Sequence, residues 1–386
     1  MLAFSEARAK VIDTIRAARS LPTSETIDLG DALGRVLAQP VVADRDYPPF
    51  NRATRDGFAV RSADLAAPGA ALEIVGEIRA GASFAAIIGP GQCVEIMTGA
   101  AVPEGADAVV MIEHTQVSGT RVRSDRAVAP GQNIAARGCE ARDGDVLLPP
   151  GTRMGAAEMG VAAQVGRARI DVSARPRVAI LSTGDEVVGV ADAVGPFAIR
   201  NSNGVSVAAL AAESGAAPIA LGNAADNADV LHGRIEKGLA AADILILSGG
   251  VSAGKYDLVE PVLKAMGAEF FFDAVAIRPG RPMVFGRCRN VWIFGLPGNP
   301  ASTMVTFELF VRPAIELLAG AEPTPLTLIP ARLAAPVRQK APLTHFLPAR
   351  LEWTAEGVPN VMELPWLSSG DIVALARGNG FLVVRP

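Results

Sequence analysis

Three glycine-rich loops between residues 180 and 302 combine residue types that could bind an anion. They read ILSTGDE, ILSGGVSAGKYD and FGLPGNPAS. Glycine leaves backbone N–H groups open to a ligand, and the third loop also precedes a predicted helix, whose N-terminus favours negative charge. The pattern predicts a site for an anion, with phosphate as the first candidate. Its residues are Thr183, Gly184, Asp185, Gly249, Gly250, Ser252, Gly254, Gly298, Asn299 and Ser302.

Carboxylates gather at the same predicted site. Glu186 and Asp257 lie in the first two loops, and Asp226 lies in the segment GNAADNAD. Oxygen ligands beside a phosphate suit a hard divalent cation, most often Mg²⁺, whose charge offsets the repulsion between carboxylates. These three residues are the predicted metal ligands. For Asp226 the alternative is a capping role at the following helix.

The second loop also comes close to the P-loop of nucleotide triphosphatases. Gly249 is followed, after four residues, by Gly254 and Lys255. A P-loop needs Ser or Thr after the lysine to hold Mg²⁺, whereas Tyr256 stands there. The apolar helical pattern also begins only at Leu258. The sequence therefore argues against a P-loop.

Two basic segments could take part in the same chemistry. AIRPGRPMVFG places Arg278 and Arg281 around a Pro-Gly corner, and paired guanidinium groups suit an oxyanion such as phosphate, sulfate or molybdate. YPPFNRATRDGFAV places two arginines before Asp56. The alternatives are a solvated loop for the first segment and a plain turn for Asp56.

The elements that must position these loops alternate between strands and helices. From about residue 175 to 320, short apolar strands such as RVAIL, DILIL and NVWIFG alternate with helical segments, which predicts a parallel sheet covered on both faces. In such a sheet, ligands bind beyond the carboxyl ends of the strands. The three loops should therefore meet at one edge.

The rest of the chain predicts smaller units. The first 45 residues are typical of a helix, a proline turn and a second short helix, DLGDALGRVLAQP, and the region up to 140 contains short strands separated by turns. The segment after 140 predicts a strand, a turn and a helix that return to the first unit. The last 60 residues favour a small barrel or sandwich. The fold class is α/β plus β, with an N-terminal linker domain (1–45 and 141–174), a small β domain (46–140), an α/β domain (175–322) and a C-terminal β domain (323–386).

Composition excludes several functions. The net charge of −4 over 386 residues gives no basic field for nucleic acid or membrane. Three separated cysteines and three histidines form neither a disulfide framework nor a zinc motif. No apolar stretch of about 18 residues is present. We expect a soluble, cytoplasmic protein.

The chain resembles the molybdopterin molybdenumtransferases and the related E domain of gephyrin over nearly its whole length. The motifs that carry the likeness, in the family order, are PPFNRATRDGFAV, EIMTGAAVPEGADAVVMIE, GQNIAARGCEARDGD, ILSTGDEV, SNG, LSGGVSAGKYD, IRPGRP and GLPGNPAS. The resemblance implies an elongated four-domain subunit, a homodimer, and an active cleft between the α/β domain of one subunit and the small β domain of the other. It also implies transient contact with a molybdopterin adenylyltransferase or with recipient molybdoenzymes.

The resemblance further implies a reaction. Adenylyl-molybdopterin and molybdate would be the substrates, Mg²⁺ the helper ion, and molybdenum cofactor and AMP the products. Residues at matching family positions are implied to be catalytic, namely Asp56, Thr98, Glu186, Asp226 and Asp257. Glu140 also matches a family position. Implied substrate-binding residues beyond those of the three loops are Ser202, Asn203, Arg278, Arg281, Pro297 and Ser369.

The chain departs from the family pattern around the expected molybdate. Arg278 and Arg281 stand where the family usually has lysines, and Leu343 stands near the position of an arginine that holds molybdate in relatives. Arginine keeps the charge of lysine but changes reach and geometry. These differences motivate an alternative function, in which the protein binds or carries molybdopterin or the finished cofactor without catalysing insertion.

Overall fold

The computed structural model of the chain describes residues 1–18, 22–250, 258–337, 343–355 and 357–386. The predicted site residues Ser252, Gly254 and Asp257 lie outside these ranges. Among the described residues, no helix combines the length and the apolar composition that crossing a bilayer requires.

A six-stranded sheet forms the centre of the α/β part. In spatial order its strands are Ala217–Ala224, Arg177–Thr183, Ile244–Ser248, Val291–Leu296, Pro282–Cys288 and Glu269–Ala274. The first four are parallel, as predicted, and the sequence analysis missed the last two, which join the sheet through antiparallel pairing. Segment 275–281 between those two is too short for a helical crossover, so they pair as antiparallel neighbours. The sheet is therefore mixed, which corrects the expectation of a wholly parallel one.

Helices cover both faces of this sheet, as predicted. The helices are α1 (Phe4–Ala18) on this sheet, α2 (Ala156–Gln164) in a separate core, and then α3 (Ser202–Glu213), α4 (Ala228–Ala241), α5 (Val259–Ala265), α6 (Pro300–Thr306) and α7 (Arg312–Leu318) on this sheet again. A π-helical turn, Phe307–Val311, joins the last two. Ile244 and Ile246 contact the core shared with α1, α3, α6 and α7, whereas Leu245 and Leu247 contact the core shared with α4 and α5. The alternation of one strand thus serves both cores.

Helix α1 packs against the α/β part, although its residues fall in the predicted linker domain. Val11 and Ile15 are buried in the same core as Phe310, and the Arg8 guanidinium donates to the Leu309 carbonyl at 2.6 Å. The predicted second helix is only a 3-10 turn, Leu29–Asp31. Gly30 disfavours a helix there, and Gly34 takes a φ of 74°, which ends any helical path.

The first half of the chain also contains the predicted small β unit. Its six strands are Ala108–Met111, Gly57–Val60, Gln92–Ile96, Ala71–Ile78, Arg121–Ser124 and Thr115–Ser118, with 3-10 turns at Ser62–Leu65 and Ile112–His114. Paired strands then connect the segments before and after it: Ser24–Asp28 with Arg169–Ser173, Val41–Val42 with Val146–Leu148, and Arg52–Ala53 with Ile134–Ala135. The chain does return to its first unit.

The C-terminal part is a small sheet with one short helix. Its strands are Arg332–Leu333, Asn360–Glu363, Thr344–Glu352 and Gly380–Val384, and the helix is α8 (Ile372–Arg377). A short strand from the α/β part, Ile277–Arg278, joins this sheet in parallel with Thr344–Glu352. The predicted fold class, α/β plus β, is confirmed. The division into four domains with the boundaries given above stays a prediction.

Candidate functional site

A cavity of about 490 Å³ lies at the carboxyl ends of the parallel strands. Most of the predicted loop residues line it, as do two of the predicted metal ligands. The predicted residues in its wall are Thr183, Gly184, Glu186, Ser202, Asn203, Asp226, Gly249, Gly250, Pro297, Gly298 and Asn299. The sheet edge chosen from the sequence is therefore the edge where the fold leaves space for a ligand.

Glycine allows the three loops to meet at backbone contact distance. Gly249 has a φ of +91°, and a Cβ atom there would lie 2.8 Å from the carbonyl oxygen of Thr183. A Cβ on Gly298 would lie 3.4 Å from the Cα of Gly249. The amide of Gly249 donates to the Leu296 carbonyl at 3.1 Å. The cavity floor is built from main chain that tolerates little added volume.

A chain of hydrogen bonds fixes the floor from below. The Ser248 hydroxyl lies 3.1 Å from the Ser182 hydroxyl, which donates to Asn201 Oδ1 at 2.8 Å. The same Asn201 oxygen accepts the Gly204 amide at 2.8 Å and caps α3. Sequence reasoning missed all three side chains. The N-cap preference of asparagine before a helical segment is a signal that could have identified Asn201.

Two polar atoms in the cavity wall lack hydrogen-bond partners within the described residues. Thr183 and Asn203 are only 6% and 9% exposed. No group in that part of the chain hydrogen-bonds to Thr183 Oγ1 or to Asn203 Oδ1. Buried polar atoms are nearly always paired in folded proteins, so these two unpaired atoms are exceptions.

Carboxylates meet at one side of the cavity. The Asp226 amide donates to Asp185 Oδ1 at 2.9 Å. Burial, and then the nearby charges of Asp185 and Glu186, raise the pKa of Asp226 above its ordinary value. A bound cation would relieve repulsion of this kind. In the described ranges, no group of three or more His, Cys, Asp or Glu side chains is arranged to hold a metal ion.

The alternative role of Asp226 as a helix cap is wrong. Asn227 caps α4, since its Oδ1 accepts the amides of Asp229 at 3.0 Å and Val230 at 3.1 Å. The P-loop interpretation gains no support either, because the helix after the second loop begins only at Val259.

The C-terminal part reaches the rim of the cavity through Ser369. Asn299 Nδ2 donates to Ser369 Oγ at 2.7 Å, and the Ala301 amide donates to the Ser369 carbonyl at 2.9 Å. Ser369 therefore contacts the wall residue Asn299 rather than lining the cavity itself. Ser302, by contrast, is buried within α6 and is not in the wall.

The two arginines and the small β unit lie outside the cavity wall. Arg278 and Arg281 are exposed and flank a Pro-Gly corner, and the adjacent Pro282 lines the cavity. Asp56 and Thr98 are brought together: the amide and hydroxyl of Thr98 donate to Asp56 Oδ1 at 2.6 and 2.7 Å. These donors lower the pKa of Asp56, which favours its ionised form.

Glu140, which matches a family position by resemblance, does not line the cavity. It pairs with Arg52 at 2.7 Å in the small β region.

Several cavity residues were not predicted at all. The unpredicted wall residues are Ser182, Val187, Ile199, Arg200, Asn201, Ser248, Pro282 and Pro300. Val187 and Ile199 belong to a short parallel pair, Val187–Val188 with Ile199–Arg200, which sequence periodicity cannot reveal because each strand has two residues.

Three protein-family models match successive parts of the chain. Residues 2–166 match the MoeA N-terminal region (domain I and II), residues 179–317 match a probable molybdopterin binding domain, and residues 330–386 match the MoeA C-terminal region (domain IV).

Two of the similar proteins share a name. A molybdopterin molybdenumtransferase of Bacillus subtilis is 37% identical over 369 residues, covering 94% of this chain and 86% of the relative. A Nostoc protein of the same name is 40% identical over 304 residues, covering 77% and 70%. The crystal structure of the molybdopterin biosynthesis MoeA protein from Pyrococcus horikoshii superposes with a TM-score of 0.84 at 26% identity, covering 100% of this chain and 95% of that one.

Proposed function

The chain belongs to the molybdopterin molybdenumtransferase family and is a transferase of molybdenum-cofactor biosynthesis, and we propose that it inserts molybdate into adenylyl-molybdopterin in a Mg²⁺-dependent reaction that releases AMP. One observation carries the proposal: the glycine loops and the carboxylates Glu186 and Asp226 line a single cavity. A pyrophosphate-linked substrate needs both, since its phosphates require N–H donors and a cation.

The residues of this chain would hold the substrate in the following way. The glycine loops and the Thr183 hydroxyl would bind the phosphate oxygens. Glu186, Asp226 and, by resemblance, Asp257 would hold Mg²⁺, which when bound supplies electrostatic polarisation of the phosphates. Arg278 and Arg281 would attract the molybdate oxyanion to the corner next to Pro282. No protein nucleophile is needed.

Asp56 and Thr98 enter the proposal through a homodimer. Neither residue lines the cavity of its own chain, yet the two Thr98 donors hold the Asp56 carboxylate ionised, as a residue that contacts a cation or a substrate would require. We propose that the small β unit of one subunit completes the cavity of the other. Mixing Asp56→Ala and Asp257→Asn subunits should then restore activity that each variant lacks alone. A mixture as inactive as its components would argue against a shared site.

A second candidate function is a carrier of molybdopterin or of the finished cofactor. Leu343 directly precedes Thr344, and Thr344 pairs with Ile277 beside Arg278. A leucine thus stands next to the basic corner, where the resemblance implies an arginine. A weakened molybdate site would leave pterin binding intact without insertion.

Release of AMP from adenylyl-molybdopterin distinguishes the transferase from the carrier. The purified protein is incubated with the substrate, with and without Mg²⁺ and molybdate. Molybdate-stimulated, Mg²⁺-dependent release is expected of the transferase. Tight binding of the substrate without release would identify the carrier, and absence of binding would contradict both. Transient contact with an adenylyltransferase or recipient molybdoenzymes, and a cytoplasmic location, stay predictions.

A further inference from the structure

Two helical runs extend from the cavity to a second region of the fold. The first turn of α3 and the start of α6 line the cavity. At the other ends, α3 is followed by Gly215, and the run from α6 through α7 is followed by Gly320. These glycines have φ of +94° and +85°, as is common where a helix ends. The two C-terminal ends are contacted by a different part of the chain.

That part consists of segments 24–43 and 141–173, which precede and follow the small β unit and are called here the connecting unit. Paired strands and a core of its own hold it together. A Cβ on Gly320 would lie 3.2 Å from Ser173 Oγ, and a Cβ on Gly151 would lie 3.1 Å from the Gly320 carbonyl oxygen. The connecting unit therefore contacts the backbone that follows α7 directly.

The apolar part of this contact is small. Val36 of the connecting unit shares a buried cluster with Ala319 and Ala321, which follow α7. Hydrophobic stabilisation grows with the apolar area removed from water, and short side chains bury little of it. Packing of these three residues is thus a weak constraint on the angle between the connecting unit and the α/β part.

Arg153 adds a charged contact at the same place. Its Nη1 donates to the Gly34 carbonyl at 3.0 Å and lies 3.1 Å from the position that a Cβ on Gly215 would take. Gly215 follows the last turn of α3, and a helix C-terminus carries roughly half a negative elementary charge. The guanidinium is always ionised. Arg153 therefore joins the connecting unit to the negative end of α3.

The angle of the connecting unit sets the place of the small β unit, which carries Asp56 and Thr98. We propose that Arg153 is a positioning residue, which fixes the connecting unit on the C-terminal end of α3 and thereby presents Asp56 of its own subunit to the cavity of the other. The inference rests on the proposed function, because the shared cavity belongs to it. Arg153 is not part of the cavity wall that the described residues form.

Two matched variants isolate the charge at this contact. Arg153→Met removes the guanidinium and keeps an unbranched side chain. Arg169→Met removes the same charge from the same unit, but Arg169 pairs with Asp28 at 3.3 Å inside the connecting unit. Arg153→Lys keeps the positive charge and is the conservative variant. Arg153→Gln is tested in parallel, so that the comparison does not depend on one variant folding.

The first measurement is the distance between the two parts, which requires no activity. Spin labels are attached to Ala157→Cys in α2 and Lys237→Cys in α4, both exposed, after the exposed native thiol is removed by Cys139→Ser. Labelled subunits are diluted with unlabelled ones. The distance distribution should be broader in Arg153→Met and Arg153→Gln than in the wild type, and should stay narrow in Arg169→Met and Arg153→Lys. Equal widths in Arg153→Met and Arg169→Met would overturn the inference.

The second measurement uses mixed subunits to show what Arg153 acts on. In a mixture of Asp56→Ala and Asp257→Asn subunits, the working site combines the cavity of the first with Asp56 of the second. Adding Arg153→Met to the Asp257→Asn subunit should lower kcat for AMP release about tenfold with KM unchanged, because fewer molecules present Asp56 correctly. Adding it to the Asp56→Ala subunit should have no effect.

The opposite pattern would contradict the inference. A loss only when Arg153→Met is added to the Asp56→Ala subunit would show that Arg153 supports α3 and the cavity of its own subunit. If the mixture is inactive before Arg153 is changed, the shared site of the proposed function fails for a reason that does not involve Arg153. The distance distributions then decide by themselves whether Arg153 fixes the connecting unit.

Discussion

Substitution of Gly249 by alanine should disrupt the site at its most crowded point. The added Cβ would lie 2.8 Å from the Thr183 carbonyl oxygen and 3.0 Å from its hydroxyl oxygen, and Gly249 has a φ of +91°. A backbone oxygen cannot move away as the end of a flexible side chain can. The change must therefore push the first and second loops apart.

The expected cost has two parts. Placing a residue other than glycine in the left-handed region costs about 1–2 kcal/mol. Forcing extra volume into a closely packed position costs a further 1–3 kcal/mol, roughly. We expect Gly249→Ala to destabilise the α/β part by about 2–5 kcal/mol and to weaken pyrophosphate binding, because Thr183 is displaced.

Two other glycines of the same part separate these contributions. Gly222 has a φ of +78°, and no atom of the described residues lies within 4 Å of the position that an added Cβ would take, so Gly222→Ala should cost only the backbone share, about 1–2 kcal/mol. Gly233 lies within α4, has ordinary helical geometry and has similar open space around its Cβ position. Gly233→Ala should stabilise the protein by roughly 0.5–1 kcal/mol.

The assay is urea denaturation of the three variants, combined with hydrogen exchange of strand Ile244–Ser248, which reports on the α/β part alone. Stability should fall in the order Gly233→Ala, Gly222→Ala, Gly249→Ala, and only the last should lose pyrophosphate affinity. A Gly249→Ala protein as stable as Gly222→Ala, with full affinity, would refute the idea that close loop contact builds the cavity.

Three further predictions address the groups around the cavity. Thr98→Val removes one of two donors to Asp56 and should raise the pKa of that carboxyl. The acid limb of the pH–activity profile should then move to higher pH. An acid limb that stays in place would exclude Asp56 from the reaction. Asp226→Asn should raise the melting temperature of the metal-free protein at neutral pH, because the pKa of Asp226 is raised and its ionised form therefore destabilises the wild-type protein. This advantage should disappear towards acid pH, where the wild-type Asp226 takes up its proton. Added Mg²⁺ should stabilise the wild type more than this variant, and equal stabilisation would count against Asp226 as a ligand. Ser369→Ala should cost about 0.5–1.5 kcal/mol through the lost bond from Asn299 and speed hydrogen exchange at residues 366–371; unchanged exchange would mean that the bond from Ala301 holds this loop alone.

The sequence was sufficient for the main elements of the α/β part. Strands such as Ile244–Ser248 are continuous apolar runs, and the flanking helices repeat apolar residues at helical spacing, so burial on both faces could be inferred. The glycine loops followed from that inference, because ligands bind beyond the carboxyl ends of parallel strands. The structure places most of the loop residues in one cavity.

Other features depend on contacts between residues far apart in the chain. The choice between Asp226 and Asn227 as the cap of α4 is a matter of side-chain direction, since both are good capping types at adjacent positions. Ser182 and Ser248 lie in the last two positions of ordinary apolar strands, and only the parallel register brings their hydroxyls to 3.1 Å. Neither the choice of the cap nor the contact between the two hydroxyls leaves a periodic pattern in the sequence.

The sequence by itself determined the four parallel strands of the α/β part, the helices between them and the loops that share their edge, because local periodicity records which side chains are buried. The tertiary structure alone decided that α1 packs on the α/β part, that strand Ile277–Arg278 joins the C-terminal sheet, and that the Asn203 amide donates to the Gly298 carbonyl. Such outcomes depend on which surfaces and hydrogen-bonding groups remain unpaired after the local elements have formed, and distant parts of the chain supply the partners.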